Sequence, residues 1–280
     1  MPSCVDLHMH SATSDGTDTP IQLAEQMRAK GIHTFALTDH DTIRGVAQIL
    51  HQIPGDLTFI PGIEFSCWMP SGKCHILGYS YNAAHPVFQA ALEEGAARRH
   101  AKLDKRLAFL QERGIQFPHE ELERLHRIPG VGKPHLGNLM VEYGYARTKE
   151  DAINNVLNLC HTGSSRIPAK TAVQAIVAAG GIPVWAHPLG GEGEPEVGRK
   201  QFETMLDELI EYGLAGMECF YSKYPLKRCE ELAEIAQAHN LLVSGGSDYH
   251  GANKNIALGT LNAEDIEMHP ERLTILSALF

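Results

Sequence analysis

Apolar and polar positions follow two alternating periods through most of the chain. In the first segment, residues 5–10, apolar and polar side chains alternate as in a short strand, so His8 and His10 are predicted to share one face. Next, a capping threonine, a first-turn proline, an apolar stripe and a final glycine predict a helix over 19–31. Strand and helix patterns then alternate, which predicts a parallel α/β sheet closed as a barrel.

The pattern changes after residue 86, where strand signals stop and helical ones dominate. We predict that residues 99–165 form a helical insertion, a cap over the substrate site, and that 1–98 and 166–280 form the two parts of the barrel. The predicted helices of the strand-free stretch are 90–112, 120–125, 134–143 and 149–155.

Charge is distributed unevenly between these regions. Residues 98–170 hold 13 Lys and Arg against 8 Asp and Glu, whereas the rest of the chain holds 11 against 26. A basic insertion beside an acidic, histidine-rich body suits metal cations in the body and an anionic substrate above them. A solvated helical face is the plainer explanation of the basic residues.

Composition excludes several classes of protein. No apolar run approaches the roughly 20 residues that span a bilayer, and a strand pattern begins too early for a signal peptide, so we expect a cytoplasmic protein without membrane contact. The six cysteines include no C-x-x-C pair and are predicted to be reduced core residues. A catalytic Cys160-His161 pair is the alternative, but adjacency does not make a dyad. No obligate protein partner is indicated.

Metal-binding side chains recur where predicted strands end or in the loop that follows. In a parallel barrel those ends lie on the face that holds active sites. Imidazole and carboxylate groups suit zinc, manganese or iron, and clustered metals suit hydrolysis of phosphate esters. Taken singly, His75 is also explained as a core histidine and Asp248 as a turn cap. The candidate metal ligands are His8, His10, Asp15, His40, Glu64, His75, His187, Asp248 and His250.

The order of these motifs resembles the PHP (polymerase and histidinol phosphatase) superfamily over the whole body outside the insertion. The stretches that carry the resemblance are Asp6-Leu7-His8-Met9-His10 with the following Ser11–Gly16, Thr38-Asp39-His40-Asp41, Gly62-Ile63-Glu64, His75, Ala186-His187-Pro188 and Ser247-Asp248-Tyr249-His250.

The resemblance implies a distorted seven-stranded, TIM-like (β/α) barrel with a trinuclear metal centre. Manganese is the first expectation for these two or three divalent ions, with iron or zinc as alternatives. The implied ligand sets are His8, His10, Glu64 and Asp248 for one ion, Asp15, His40 and His250 for the second, and His75 and His187 with a bridging Glu64 for the third.

The insertion indicates which branch of the superfamily the chain resembles. Its Gly132-Lys133-Pro134-His135 stretch resembles the Gly-Arg-Pro-His of PHP enzymes that act on nucleoside 3′,5′-bisphosphates, a branch that includes the 5′-to-3′ exonuclease RNase AM. Lys133 replaces the usual Arg, so it keeps the positive charge and loses the bidentate fork. Lys133 and His135 are therefore candidate substrate-binding residues, although an ordinary helix start explains them too. Arg166 and Lys170 are further candidates, with plain surface charge as the alternative.

The predicted activity is hydrolysis of the 3′-phosphate of a nucleoside 3′,5′-bisphosphate, such as adenosine 3′,5′-bisphosphate, by a hydroxide that bridges two ions. His187, His250 and Asp248 are the candidate catalytic residues, and either histidine is a candidate for protonating the leaving oxygen. The alternatives are 5′-to-3′ exonuclease action on short 5′-phosphorylated RNA or DNA, histidinol-phosphate phosphatase activity, and a non-catalytic metal-binding or polymerase-associated module.

Overall fold

The computed structural model describes residues 3–128 and 130–280. Met1 and Pro2, in the first predicted barrel part, and Pro129, in the predicted insertion, lie outside the described residues. Within them, one sheet has the order β1-β2-β3-β4-β6-β7-β8, and β5 pairs with β3 beside that path. The strands are β1 Val5–Asp6, β2 Thr34–Leu37, β3 Thr58–Met69, β4 Gly72–Tyr79, β5 Ile167–Pro168, β6 Ile182–Ala186, β7 Gly216–Tyr221 and β8 Leu242–Gly246.

The first and last strands of this path meet, which nearly closes a seven-stranded barrel. The Leu7 amide donates to the Gly245 carbonyl at 3.2 Å, and the Asp248 amide donates to the His8 carbonyl at 2.8 Å. An isolated parallel bridge joins Met9 to Tyr249 just beyond the strands. The predicted α/β barrel is confirmed.

One strand runs against the predicted direction. β4 is antiparallel to β3 and to β6, because only Pro70 and Ser71 separate β3 from β4. Two residues form a hairpin, whereas a parallel neighbour needs a crossover of a dozen residues or more. Glu64 and His75 lie within β3 and β4, so the prediction that both occupy places where strands end is wrong.

The helices flank the barrel and fill the stretch between β4 and β5. The first helix has the predicted cap, in which Thr19 Oγ1 accepts from the Gln22 amide, and it ends at Gly31 with a φ of 74°. The helices are α1 Pro20–Lys30, α2 Arg44–Ile49, α3 Pro86–Gln111, α4 His119–His126, α5 Lys133–Glu142, α6 Lys149–Asn155, α7 Ala169–Ala178, α8 Arg199–Tyr212, α9 Leu226–Ala238 and α10 Leu276–Leu279, with 3₁₀ turns at Leu157–Leu159, Gly251–Asn253 and Pro270–Arg272.

Helix α3 links two apolar clusters. Near its start, Phe88 and Ala91 pack in the barrel core, and near its end Leu103 and Leu110 pack with α4, α5 and α6 in a separate cluster. The predicted boundary between residues 98 and 99 falls inside this helix, and the division into barrel parts and insertion stays a prediction. Within residues 3–128 and 130–280, none of the helices has both the length and the hydropathy that a membrane span requires.

Candidate metal centre

Glu64 lies at the centre of a histidine cluster at one end of the barrel. Its Oε2 is 3.4 Å from His8 Nε2 and 3.1 Å from both His10 Nε2 and His40 Nδ1. Its Oε1 is 3.0 Å from His75 Nδ1 and 3.2 Å from His187 Nε2. One buried carboxylate thus faces five imidazole rings. This spacing suits a bridging ligand between cations.

The other predicted ligands complete the cluster from the loops after β1 and β8. Asp248 Oδ1 is 3.5 Å from His8 Nε2 and 3.3 Å from His10 Nε2. Asp15 Oδ1 is 3.3 Å from His250 Nε2. All nine predicted metal ligands therefore converge. The groups whose ligand atoms lie within 4.8 Å of one another are His10, Asp15, His40 and His250; His8, His10 and Asp248; His40, Glu64 and His75; and His75, His187 and Glu194.

Several buried polar atoms of the cluster lie close to other polar atoms but form no hydrogen bond of acceptable geometry. Among the described residues, these atoms include His10 Nδ1, His40 Nδ1 and Glu64 Oε2. A buried polar atom without a partner costs roughly 1–3 kcal/mol, so native proteins normally pair such atoms with protein, water or an ion. Imidazole and carboxylate donors match divalent manganese, iron and zinc. The residues present thus fit the divalent ions that the resemblance implies.

Asp39 organises the loop that brings Asp15 to the cluster. Its carboxylate accepts from the Ser11 amide and from Ser11 Oγ, both at 2.8 Å, and from Ser14 Oγ at 2.7 Å. The aspartate that precedes His40 in the sequence motif therefore fixes the loop after β1.

Asp6 has the same role for the segment after β8. It accepts from Ser247 Oγ at 2.6 Å, and from the amides of Ser247 and Gly259 at 2.9 Å each. Burial raises the pKa of Asp6, although these donors oppose the shift. The fixed segment continues into Asp248, whose φ of 58° turns the chain towards His250.

Sequence reasoning missed Glu218, a fully buried carboxylate on β7. Its Oε1 is 2.9 Å from His8 Nδ1, and its Oε2 accepts from the His187 amide at 2.7 Å. A ligating histidine typically gives its second ring N–H to a carboxylate, which fixes the tautomer and the ring. The available signal was a single acidic residue in the otherwise apolar strand β7.

Two further missed residues hold Asp248. Lys254 Nζ and Tyr221 OH donate to its Oδ2 at 2.6 and 3.0 Å. Burial would raise the pKa of this carboxyl, but Lys254, His250 and His8 keep it well below its usual range. The carboxylate is therefore ionised, the state in which it can bind a cation.

A cationic cavity of about 210 Å³ opens beside the cluster and shares Asp15, His40 and His75 with it. Arg99 Nε donates to the Asp41 carboxylate, and Arg99 Nη2 donates to Ser66 Oγ at 2.7 Å. These two contacts anchor Arg99 on the barrel. The basic residues that line the cavity are Arg99, Lys102 and Arg106 from α3, Lys133 from α5, and Arg166 just before β5.

Burial, with a contribution from the neighbouring cations, lowers the pKa of two of these basic groups. Burial lowers the pKa of Lys102 to about 8, and the neighbouring Arg106 and Lys133 contribute to the shift. Burial likewise lowers the pKa of Arg106 to about 10. Such a group of cations is typical of a site for a phosphate group, which would relieve their repulsion.

Two of the four predicted substrate-binding residues line this cavity, and the other two make different contacts. Lys133 and Arg166 line the cavity. In the described part of the chain, His135 is not among the lining residues, and its Nδ1 accepts from the Gly132 amide at 3.1 Å, which caps the start of α5. Lys170 is exposed on α7, with Nζ 6.0 Å from the centre of the Tyr212 ring.

The α3 cations were missed by sequence reasoning. Arg99, Lys102 and Arg106 are spaced i, i+3 and i+7, so they follow one face of a helix. That spacing was the available signal for a basic helix face above the cluster.

Comparison with known proteins identifies the family. A sequence profile described as PHP domain matches residues 6–165, more than half of the chain. The chain belongs to the PHP family. The solved structure of an amidohydrolase from Chromobacterium violaceum, with bound sulfate and no metal, superposes on this PHP chain with a TM-score of 0.79. It is 26% identical, and the match covers 99% of this chain and 96% of the other.

Curated relatives of this PHP protein have three different activities in their names. A phosphoribosyl 1,2-cyclic phosphate 1,2-diphosphodiesterase from Eggerthella lenta is 32% identical over 88% of this chain and 94% of its own. The 5′-3′ exoribonuclease Rnm of Escherichia coli is 28% identical over 91% and 87%. A 3′,5′-nucleoside bisphosphate phosphatase of Chromobacterium violaceum is 28% identical over 88% and 87%. This PHP protein is a hydrolase of phosphoric ester bonds.

Proposed function

We propose that the nine clustered residues bind two or three divalent ions, with manganese as the first expectation. Convergence on Glu64 and the unpartnered buried atoms support this proposal. Bound divalent ions would activate water and stabilise charge on a phosphate. The proposed ligand sets are His8, His10, Glu64 and Asp248; Asp15, His40 and His250; and His75, His187 and Glu64.

The proposed reaction removes the 3′-phosphate from a nucleoside 3′,5′-bisphosphate. The cationic cavity beside the cluster carries this proposal, because five basic side chains there suit a second phosphate that is not hydrolysed. With the 5′-phosphate held by Lys133 and Arg166, the ribose would direct the 3′-phosphate towards Glu64. The bisphosphate phosphatase relative supports the same substrate class.

Residues of the chain also have proposed roles in proton transfer. His187 and His250 are the candidates for protonating the departing 3′-oxygen. His250 Nδ1 lies 2.8 Å from the Asp248 carbonyl oxygen, and His187 Nδ1 lies 3.5 Å from Glu194 Oε2. The Asp248 carbonyl oxygen would accept a proton on His250 Nδ1, and the Glu194 carboxylate lies beside Nδ1 of His187.

A second candidate function is 5′-to-3′ exonuclease action on short 5′-phosphorylated RNA or DNA. The match to the exoribonuclease Rnm over 91% of the chain favours it, and the same cavity would bind the terminal 5′-phosphate. A net charge of −10 disfavours extended contact with a long polyanion. We therefore expect mononucleotides to be preferred.

The deciding experiment is phosphate release by the manganese-loaded protein from adenosine 3′,5′-bisphosphate and from 3′-AMP. A 5′-phosphorylated short RNA and a ribose 1,2-cyclic phosphate with a 5-phosphate are assayed alongside. Rapid formation of 5′-AMP, with 3′-AMP much slower, is the expected result. Preferential stepwise release of 5′ nucleotides from the RNA, or faster opening of the cyclic phosphate, would replace the bisphosphate proposal.

A further inference from the structure

Glu194 lies on the loop between β6 and α8, on the far side of two clustered histidines. His75 Nδ1 and His187 Nε2 face Glu64 Oε1 at 3.0 and 3.2 Å, and these two nitrogens are 3.2 Å apart. Their opposite ring nitrogens face Glu194 instead. His187 Nδ1 is 3.5 Å from its Oε2, and His75 Nε2 is 4.0 Å from its Oε1.

A closer form of this arrangement, with a hydrogen bond to the outer carboxylate, occurs elsewhere in the cluster. His8 presents Nε2 to Glu64 and Asp248, and its Nδ1 is 2.9 Å from the buried carboxylate of Glu218. Each side of the cluster thus has a histidine between an inner carboxylate and an outer one. An outer carboxylate orients the ring and strengthens the ligating nitrogen.

The loop also fixes the Glu194 carboxylate and its position over the rings. The Gly191 amide donates to Glu194 Oε2 at 3.1 Å. A Cβ atom on Gly191 would lie 3.1 Å from His187 Nδ1, so this stretch of backbone packs directly on the ring. Arg166 Nη2 lies 3.5 Å from Glu194 Oε1, which connects the loop to the cationic cavity.

We propose that Glu194 is the positioning residue for the ion bound by His75 and His187, and that its carboxylate holds both rings in their ligating orientation. The inference rests on the metal centre under the proposed function. It adds a residue outside the nine predicted ligands.

The test is Mn²⁺ binding by Glu194→Gln, which keeps the side-chain length and removes the charge. Calorimetric titration and metal analysis at controlled free Mn²⁺ should show one class of site weakened by about 10–100-fold, with the remaining ions retained. Anomalous scattering at the manganese edge, compared between the wild type and Glu194→Gln, should show that the missing ion is the one beside His75 and His187. Excess Mn²⁺ should restore phosphate release, and Glu194→Asp, which retains the charge, should lose less affinity than Glu194→Gln.

Glu196→Gln is the matched control, since Glu196 is an exposed carboxylate on the same loop. It should bind Mn²⁺ as the wild type does. Wild-type stoichiometry and affinity in Glu194→Gln would overturn the inference. A different result would contradict the proposed function. If the wild-type protein binds its full set of ions and releases no phosphate, the proposed substrate is wrong, and the inference about Glu194 still stands.

Discussion

The ligand cluster and the cationic cavity lie side by side but are built in different ways. Side chains of the nine clustered residues are at most 16% exposed, and the barrel backbone and buried carboxylates hold them. The cavity is formed by α3, α5 and the segment before β5, and of its cations Arg99 is anchored on the barrel through Asp41. Under the proposed function, the barrel would fix the position of the metal ligands, and the helices would determine which substrate is bound.

Removing a carboxylate from the cluster should have the largest effect. Asp248→Ala should lose bound metal and lower kcat/KM by about 1,000-fold or more, beyond the 10–100-fold typical of a residue that only supports a ligand. Metal analysis and phosphate release measure the two losses. The control is Asp207→Ala, at an exposed position on α8. Full metal content with full activity in Asp248→Ala would contradict the ligand assignment.

Removing a supporting carboxylate should have a smaller but clear effect. Glu218→Gln should weaken metal binding by about 10–100-fold, because His8 Nδ1 loses its charged partner. Titration with Mn²⁺ measures the change, and thermal unfolding checks that the barrel is intact. Glu234→Gln, exposed on α9, is the matched control. Unchanged affinity would mean that the barrel alone orients the His8 ring.

Changes in the cavity should affect substrate selection and leave metal content unchanged. Lys102→Ala should lower kcat/KM for a 5′-phosphorylated substrate by roughly 10–100-fold, which is the effect of losing one charged hydrogen bond. The kcat/KM for 3′-AMP should change much less. Lys105→Ala is the control, because Lys105 is exposed on the same helix and does not line the cavity within the described residues. An equal loss on both substrates would show that the cavity does not read the 5′-phosphate.

The smallest expected effect is a pH dependence of substrate binding. With a pKa of about 8, Lys102 is charged below that pH and loses its charge above it. KM for a 5′-phosphorylated substrate should therefore rise roughly 3–10-fold from pH 7 to pH 9. Lys102→Arg keeps the charge and should show a flatter profile. Identical profiles for the two proteins would assign the titration to another group.

The sequence predicted the cluster well and the cavity poorly, for a physical reason. His8 and His10 are two positions apart in the stretch that directly continues β1, so their common face follows from local geometry. The cavity depends on how α3 and α5 dock, which no local pattern specifies. Glu218 was missed because its partner His8 is distant in the chain, and the antiparallel β4 because a short hairpin reverses a strand without changing its apolar pattern.

Closure of the barrel has a consequence for synthesis of the protein. Asp6 and Ser247 are bonded side chain to side chain at 2.6 Å although 241 positions separate them. Contacts between such distant positions form late, and a nascent chain emerges from its N-terminal end. On the ribosome, almost the entire chain must therefore be synthesised before Asp248 and His250 can contact His8 and His10.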